Sequence, residues 1–106
     1  MTKNKYAIKI APKAFEDLDD IYSYIYNELF NEGAADNLLK QIETSVMRLK
    51  EFPFPCSLVT DEILKNKGYR KLIVANYIAF YLVREEEKQV VVMRVLFGAQ
   101  KYQGFI

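Results

Sequence analysis

From Gly68 to Phe97 the chain is dominated by β-branched and aromatic residues, broken at Ala75-Asn76 and by the charged run Arg84 to Gln89. This pattern predicts three strands of an antiparallel meander, about Tyr69–Val74, Tyr77–Val83 and Val90–Phe97. Both faces of these strands are largely apolar, so one covers a core and the other is too apolar to meet only solvent. Arg70, Lys71, Tyr77, Tyr81 and Arg94 are the polar groups that stand out from them. By strict alternation Arg94 falls on one face with Val90, Val92 and Leu96. Upstream, residues 4–10 alternate, with Tyr6, Ile8 and Ile10 on one face and Lys5 and Lys9 on the other, as in a half-buried or edge strand.

Between these strands the apolar period changes from two to between three and four. Pro12 suits the first position of a helix, where a missing N–H costs nothing. Phe15, Leu18, Ile21, Tyr22, Ile25 and Leu29 carry an apolar stripe to about Phe30. Glu16, Asp17, Asp19 and Asp20 are read as partners of the positive helix end rather than as ligands of a hard cation, since carboxylates of one helix rarely converge on a metal. Asn31-Glu32-Gly33 is a break, and a second helix is predicted from near Ala34, with Leu38, Leu39, Ile42, Val46 and Leu49 inward. Lys40, Glu43, Arg48 and Lys50 lie outside, and Pro53 and Pro55 end the helix after Phe52. Two such helices form an antiparallel hairpin whose stripe needs a sheet. The predicted fold is α+β, ordered β-α-α-β-β-β, with one sheet covered by the helices, a polar-to-mixed connection over residues 54–67 and a short tail over residues 100–106.

Composition narrows the class. The 106 residues, 51% hydrophobic and 27% charged, suit one globular domain spanning residues 1–106. No apolar run approaches the roughly 18–20 residues needed to span a bilayer, and the opening Met-Thr-Lys-Asn-Lys-Tyr has no signal-peptide core. Cys56 is the sole cysteine and there is no histidine, which leaves no disulfide framework, no thiolate zinc site and no imidazole acid–base chemistry. A metal-free, cofactor-free protein of the reducing cytoplasm is expected. Following Pro-Phe-Pro, Cys56 is a plain thiol without a partner base. Net charge is +1, but residues 1–53 carry 7 basic against 9 acidic groups and residues 54–106 carry 8 against 5. The sheet half is therefore weakly basic, short of a dedicated nucleic-acid binder.

Several local signatures together resemble the RelE/ParE superfamily of toxins from type II toxin–antitoxin systems. Pro12-Lys13-Ala14-Phe15-Glu16-Asp17-Leu18 with Ile21-Tyr22-Ser23-Tyr24-Ile25 resembles the family's opening helix. Leu49 to Pro53 resembles the end of its second helix. Gly68-Tyr69-Arg70-Lys71-Leu72 with Asn76-Tyr77-Ile78-Ala79-Phe80-Tyr81 resembles its central hairpin, and Val95 to Tyr102 its last strand and tail. The resemblance spans nearly the whole chain. It implies a small growth inhibitor of the plasmid-stabilisation type, neutralised by an antitoxin laid across it, alone or in a dimer or toxin–antitoxin hetero-oligomer. Two targets are known in the superfamily: RelE-like members cut messenger RNA in the ribosome, and ParE-like members poison DNA gyrase. The long helices and short turn here look more like the ParE side.

Cleavage of RNA through its 2′-hydroxyl needs a base, cations for the phosphorane and an acid for the leaving oxygen. Under the resemblance, a ribonuclease would rest on Arg70, Lys71, Arg94 and Tyr102. The chain departs from that pattern at Ile78, where many relatives carry arginine, and at Phe97-Gly98-Ala99-Gln100, where a His-x-Arg-Arg tail is common. The same surface, Arg70, Lys71, Tyr77, Tyr81, Arg94, Gln100, Lys101 and Tyr102, is the candidate contact with target or antitoxin. Each candidate has a plain alternative. Arg70 is a phosphate or carboxylate partner, or a strand-end arginine. Arg94 is functional, or paired with a helix acid. Tyr77 and Tyr81, sharing a face at i and i+4, stack on bases, or finish a core with their hydroxyls at its rim. A third reading is a binding module without toxicity, acting as an antitoxin or autoregulation partner.

Overall fold

The computed structural model describes residues 5–28, 31–53 and 66–98. The elements are β1 (Ala7–Ile10), α1 (Pro12–Ser23), α2 (Glu32–Met47), β2 (Arg70–Val74), β3 (Tyr77–Arg84) and β4 (Gln89–Phe97). A π-helical segment, Tyr24–Glu28, continues α1, and a 3-10 turn, Arg48–Lys50, finishes α2. The predicted order β-α-α-β-β-β is the order observed. The proposed end of the first helix at Phe30, the connection over residues 54–65, Cys56, and the tail with Gln100, Lys101 and Tyr102 lie outside the described residues.

The sheet runs β1-β4-β3-β2. The meander is antiparallel as predicted, while β1 lies parallel to β4, so the sheet as a whole is mixed. The entry to α1 is fixed on this edge: Ala11 N–H donates to Val92 O at 2.9 Å, and Pro12 follows with no N–H to satisfy. The Asn31 side chain accepts from Ala34 N–H at 3.0 Å, an N-cap that starts α2 at Glu32, two residues before the predicted start. Gly33 therefore lies inside the first turn of α2, and the break falls before it. At the far end of the sheet, Gly98 N–H donates to Asn76 O at 2.7 Å, and a Cβ on Gly98 would stand only 3.1 Å from that oxygen.

The main core lies between helices and sheet. Ala14, Ile21 and Ile25 from the first helix meet Ala35, Ile42, Val46 and Leu49 from the second, over Val74, Ala79, Tyr81, Val90, Val92 and Val95. Leu18 and Leu38, expected to be inaccessible, are only partly buried against it, and Phe15, expected on the stripe, is 60% exposed. The buried α1 positions are Ala14, Asp17 and Ile21, a stripe rotated away from Phe15. A smaller cluster on the opposite sheet face joins Tyr69, Phe80 and Leu96 with Ile78, Leu82 and Met93.

One irregularity resets the last strand. Phe80 pairs with Arg94, but Tyr81 pairs with Val92, so Met93 is an extra residue on β4. The alternation slips there, and Val95 rather than Leu96 follows Val90 and Val92 into the helix-side core. The expectation that Arg94 shares a face with Val90 and Val92 is corrected by this bulge, while Arg94 and Leu96, paired with Phe80 and Ile78, keep a common face.

Candidate functional site

Among the described residues, the candidates Arg70, Lys71, Tyr77, Tyr81 and Arg94 do not all gather into one centre, although Tyr77 and Arg94 line the same cleft. Register pairs Arg70 with Tyr81 and Lys71 with Phe80. Directly paired residues point to the same side, so Arg70 belongs to the helix side of the sheet and Lys71 to the other. Both are half-buried. Two adjacent basic residues on a strand supply one cation to each face.

Arg94 is committed to α1. Its Nε donates to Asp17 Oδ2 at 2.7 Å and its Nη2 to Asp17 Oδ1 at 2.8 Å, a two-pronged guanidinium–carboxylate pair. Val95 N–H donates to the same Oδ2 at 2.9 Å. The two side chains are 12% and 9% exposed. These hydrogen bonds raise the Arg94 pKa above its ordinary value; burial opposes the rise, and the charges of Asp17 and Glu16 add to it. The first turn of α1 holds no acidic residue. Asp17 therefore acts on β4 rather than on the helix dipole, whose influence fades within one turn. In the structure Asp17 sits on the buried stripe between Ala14 and Ile21, and an acid in that company requires a partner.

The two tyrosines divide. Tyr81 is fully buried, and its hydroxyl donates to Pro53 O at 2.9 Å, tying the exit of α2 to β3. Tyr77 is half-buried and meets Phe97 edge-on, ring centres 5.7 Å apart at 67°. Burial raises the Tyr77 pKa, with Tyr24 adding to the shift.

Two concave surfaces flank α1. The larger, a groove of about 940 Å³, opens between α1, α2 and the β1–β4 edge. Its floor is Tyr6, Ile8, Ile10, Val92 and Val95, and its walls are Phe15, Leu18 and Tyr22 facing Leu39, Ile42, Val46 and Met47. Charges stand only around it, at Lys5, Asp19, Glu43 and Lys50. Phe15 and Met47 are exposed beside it. The smaller, about 450 Å³, lies on the other side of α1, between Asp17, Asp20, Ile21 and Tyr24 and the strand ends at Tyr77, Arg94 and Phe97. Sequence reading placed Phe15 on the buried stripe and Asp20 at the helix end, gave Met47 and Tyr24 no surface role, and read Phe97 only as a departure from a catalytic tail, so none of the five was expected as a surface feature.

Among the described residues no helix is long and apolar enough to cross a membrane. No curated protein matches the chain in sequence. Among solved structures, the chromosomal ParDE toxin–antitoxin system from P. aeruginosa aligns with a TM-score of 0.73 at 22% identity, covering 90% of this chain and 98% of that one. The toxin–antitoxin complex RelBE2 from Mycobacterium tuberculosis aligns with a TM-score of 0.60 at 18% identity, covering 88% and 98%. At these identities the likeness establishes the fold. The family profile described as ParE toxin of type II toxin-antitoxin system, parDE, matches residues 8–102. With nearly the whole chain matched, this protein belongs to the ParE toxin family within the RelE/ParE superfamily.

Proposed function

We propose that this protein is the toxin of a type II pair that inhibits growth by binding DNA gyrase rather than by cutting RNA. The observation that carries this reading is the Arg94–Asp17 pair. Two of its N–H groups fix the Arg94 guanidinium on a buried carboxylate that neutralises its charge, and moving it to a phosphorane would leave Asp17 buried and unpaired. Arg70 and Lys71 stand on opposite faces, so the strand cations do not converge. Ile78 and Phe97 offer neither a charge nor a transferable proton. Family membership supports the same side of the superfamily.

A cognate antitoxin is the natural occupant of the large groove, which asks for an amphipathic segment with an apolar face toward Phe15, Leu18, Leu39 and Met47. Such a complex buries at least about 1,200 Å² and folds the segment as it binds, with a large negative heat-capacity change. The deciding experiment measures gyrase supercoiling and DNA cleavage complexes beside primer extension on translated messages, using the purified full chain. Gyrase inhibition with intact messages is expected. Ribosome-dependent cuts in messenger RNA without any effect on gyrase would overturn the proposal.

A further inference from the structure

We infer that the smaller cleft, walled by Tyr24, Tyr77 and Phe97 with Asp20 at its edge, is a receptor for an arginine side chain presented by a protein partner. The inference is independent of the gyrase reading and concerns the side of α1 opposite the groove.

Charge is the first argument. Asp17, Asp20 and Arg94 line the cleft, and Asp17 and Arg94 neutralise each other through paired hydrogen bonds. Asp20 makes no ion pair among the described residues, so among them the cleft keeps one uncompensated negative charge although the chain is net positive. Its position is fixed by helix geometry: Asp17, Asp20, Ile21 and Tyr24 follow at i, i+3, i+4 and i+7 and share one face.

The aromatic walls are the second. Tyr24 and Phe97 are exposed to 56% and 47%, and Tyr77 is braced edge-on against Phe97. Burial raises the Tyr77 pKa, which marks a setting that disfavours phenolate and keeps the ring neutral. Neutral aromatic faces beside a free carboxylate suit a cation with a flat surface. Guanidinium stacks on rings and sheds water more readily than ammonium, and its remaining N–H groups can reach Asp20. An anion would meet the charge of Asp20, and a purely apolar group would strip water from that carboxylate without replacing it.

The test is an NMR titration of the full chain with a capped Gly-Arg-Gly tripeptide, alongside its lysine and citrulline counterparts. Saturable shifts at Tyr24, Tyr77 and Phe97 are expected for the arginine peptide, weaker ones for lysine and none for neutral citrulline. Asp20→Asn should weaken binding about two- to fivefold, as should Phe97→Leu, which keeps apolar bulk but removes the ring. Amide spectra of both variants confirm that the fold is kept. No saturable shift with the arginine peptide, an equal response to citrulline, or undiminished binding by Asp20→Asn would each overturn the inference.

Discussion

Helix α1 separates two surfaces built by different rules. On one side Phe15, Leu18 and Tyr22 face a groove whose floor is the apolar face of β1 and β4, at Ile8, Ile10, Val92 and Val95. On the other, Asp17, Asp20 and Tyr24 face strand ends that combine aromatic Tyr77 and Phe97 with Arg94 and aliphatic Val95 and Leu96. The groove can be filled by any apolar segment of the right width, and its specificity must come from the charges around it. The cleft instead has a buried ion pair at its base, whose two hydrogen bonds fix the position of Asp17 against β4. A helix of 12 residues serves both because its buried stripe is narrow. Only Ala14, Asp17 and Ile21 are buried along α1, which leaves both flanks open.

The largest break in this contrast comes from the ion pair. Asp17→Asn keeps the shape of the side chain but leaves the Arg94 guanidinium buried beside a neutral amide, at a cost of about 3–5 kcal/mol. Denaturant unfolding of purified protein measures it. Asp17→Leu combined with Arg94→Met should cost far less, because both charges leave together. A single variant within about 0.5 kcal/mol of wild type, the range of ordinary surface changes, would show that Arg94 is not structurally committed, and the ribonuclease reading would regain its cation. Next in size is Ile42→Ala beneath the groove, where a 4% exposed side chain touches both helices' core. About 2–5 kcal/mol should be lost.

The groove is tested by changes that spare the fold. Phe15→Ala removes an exposed ring, so stability should move by no more than about 0.5 kcal/mol. If Phe15 anchors an antitoxin segment, affinity should fall by about 2 kcal/mol, some thirtyfold, as aromatic anchors do. Calorimetry with a cognate antitoxin reads that loss. Unchanged affinity in both Phe15→Ala and Met47→Ala would place the antitoxin elsewhere, on the sheet or the cleft side.

The strands were legible because composition marked them: β-branched runs separated by Ala75-Asn76 and by a charged turn leave few alternatives. The helices were legible by period, but their rotation was not. Phe15 and Asp17 sit two residues apart, and hydrophobicity alone assigns the ring inward and the acid outward. The structure reverses this because Asp17 has Arg94 to meet. The bulge at Met93 was hidden for a related reason. Every neighbour from Val90 to Val92 is valine, so neither face carries a polar mark that would betray a slip in register. The separation of Arg70 from Lys71 was available from period two alone. Grouping them as one basic site followed the family pattern rather than the strand geometry.

The smallest expected effect sharpens the cleft itself. The Tyr77 pKa is raised above its ordinary value of 10.0 by burial and by Tyr24, and Tyr69 is raised by burial against the opposing charge of Arg84. A raised phenol keeps its proton in the folded chain at a pH where the unfolded chain has lost it. The unfolded state then binds fewer protons, and stability falls as pH rises through the ordinary tyrosine value and on through the folded one. Unfolding free energy followed from about pH 9 to 11 should therefore decline in the wild type, across the range where free tyrosine ionises. Tyr77→Phe should flatten part of that decline, leaving the shares due to Tyr69 and Tyr22, whose pKa burial also raises. Tyr24→Phe should flatten it less, since Tyr24 acts on Tyr77 only as the smaller cause. An alkaline slope identical in wild type and Tyr77→Phe would mean that the Tyr77 ring is fully solvated, and the cleft would lose its aromatic wall while the groove across α1 stood unchanged.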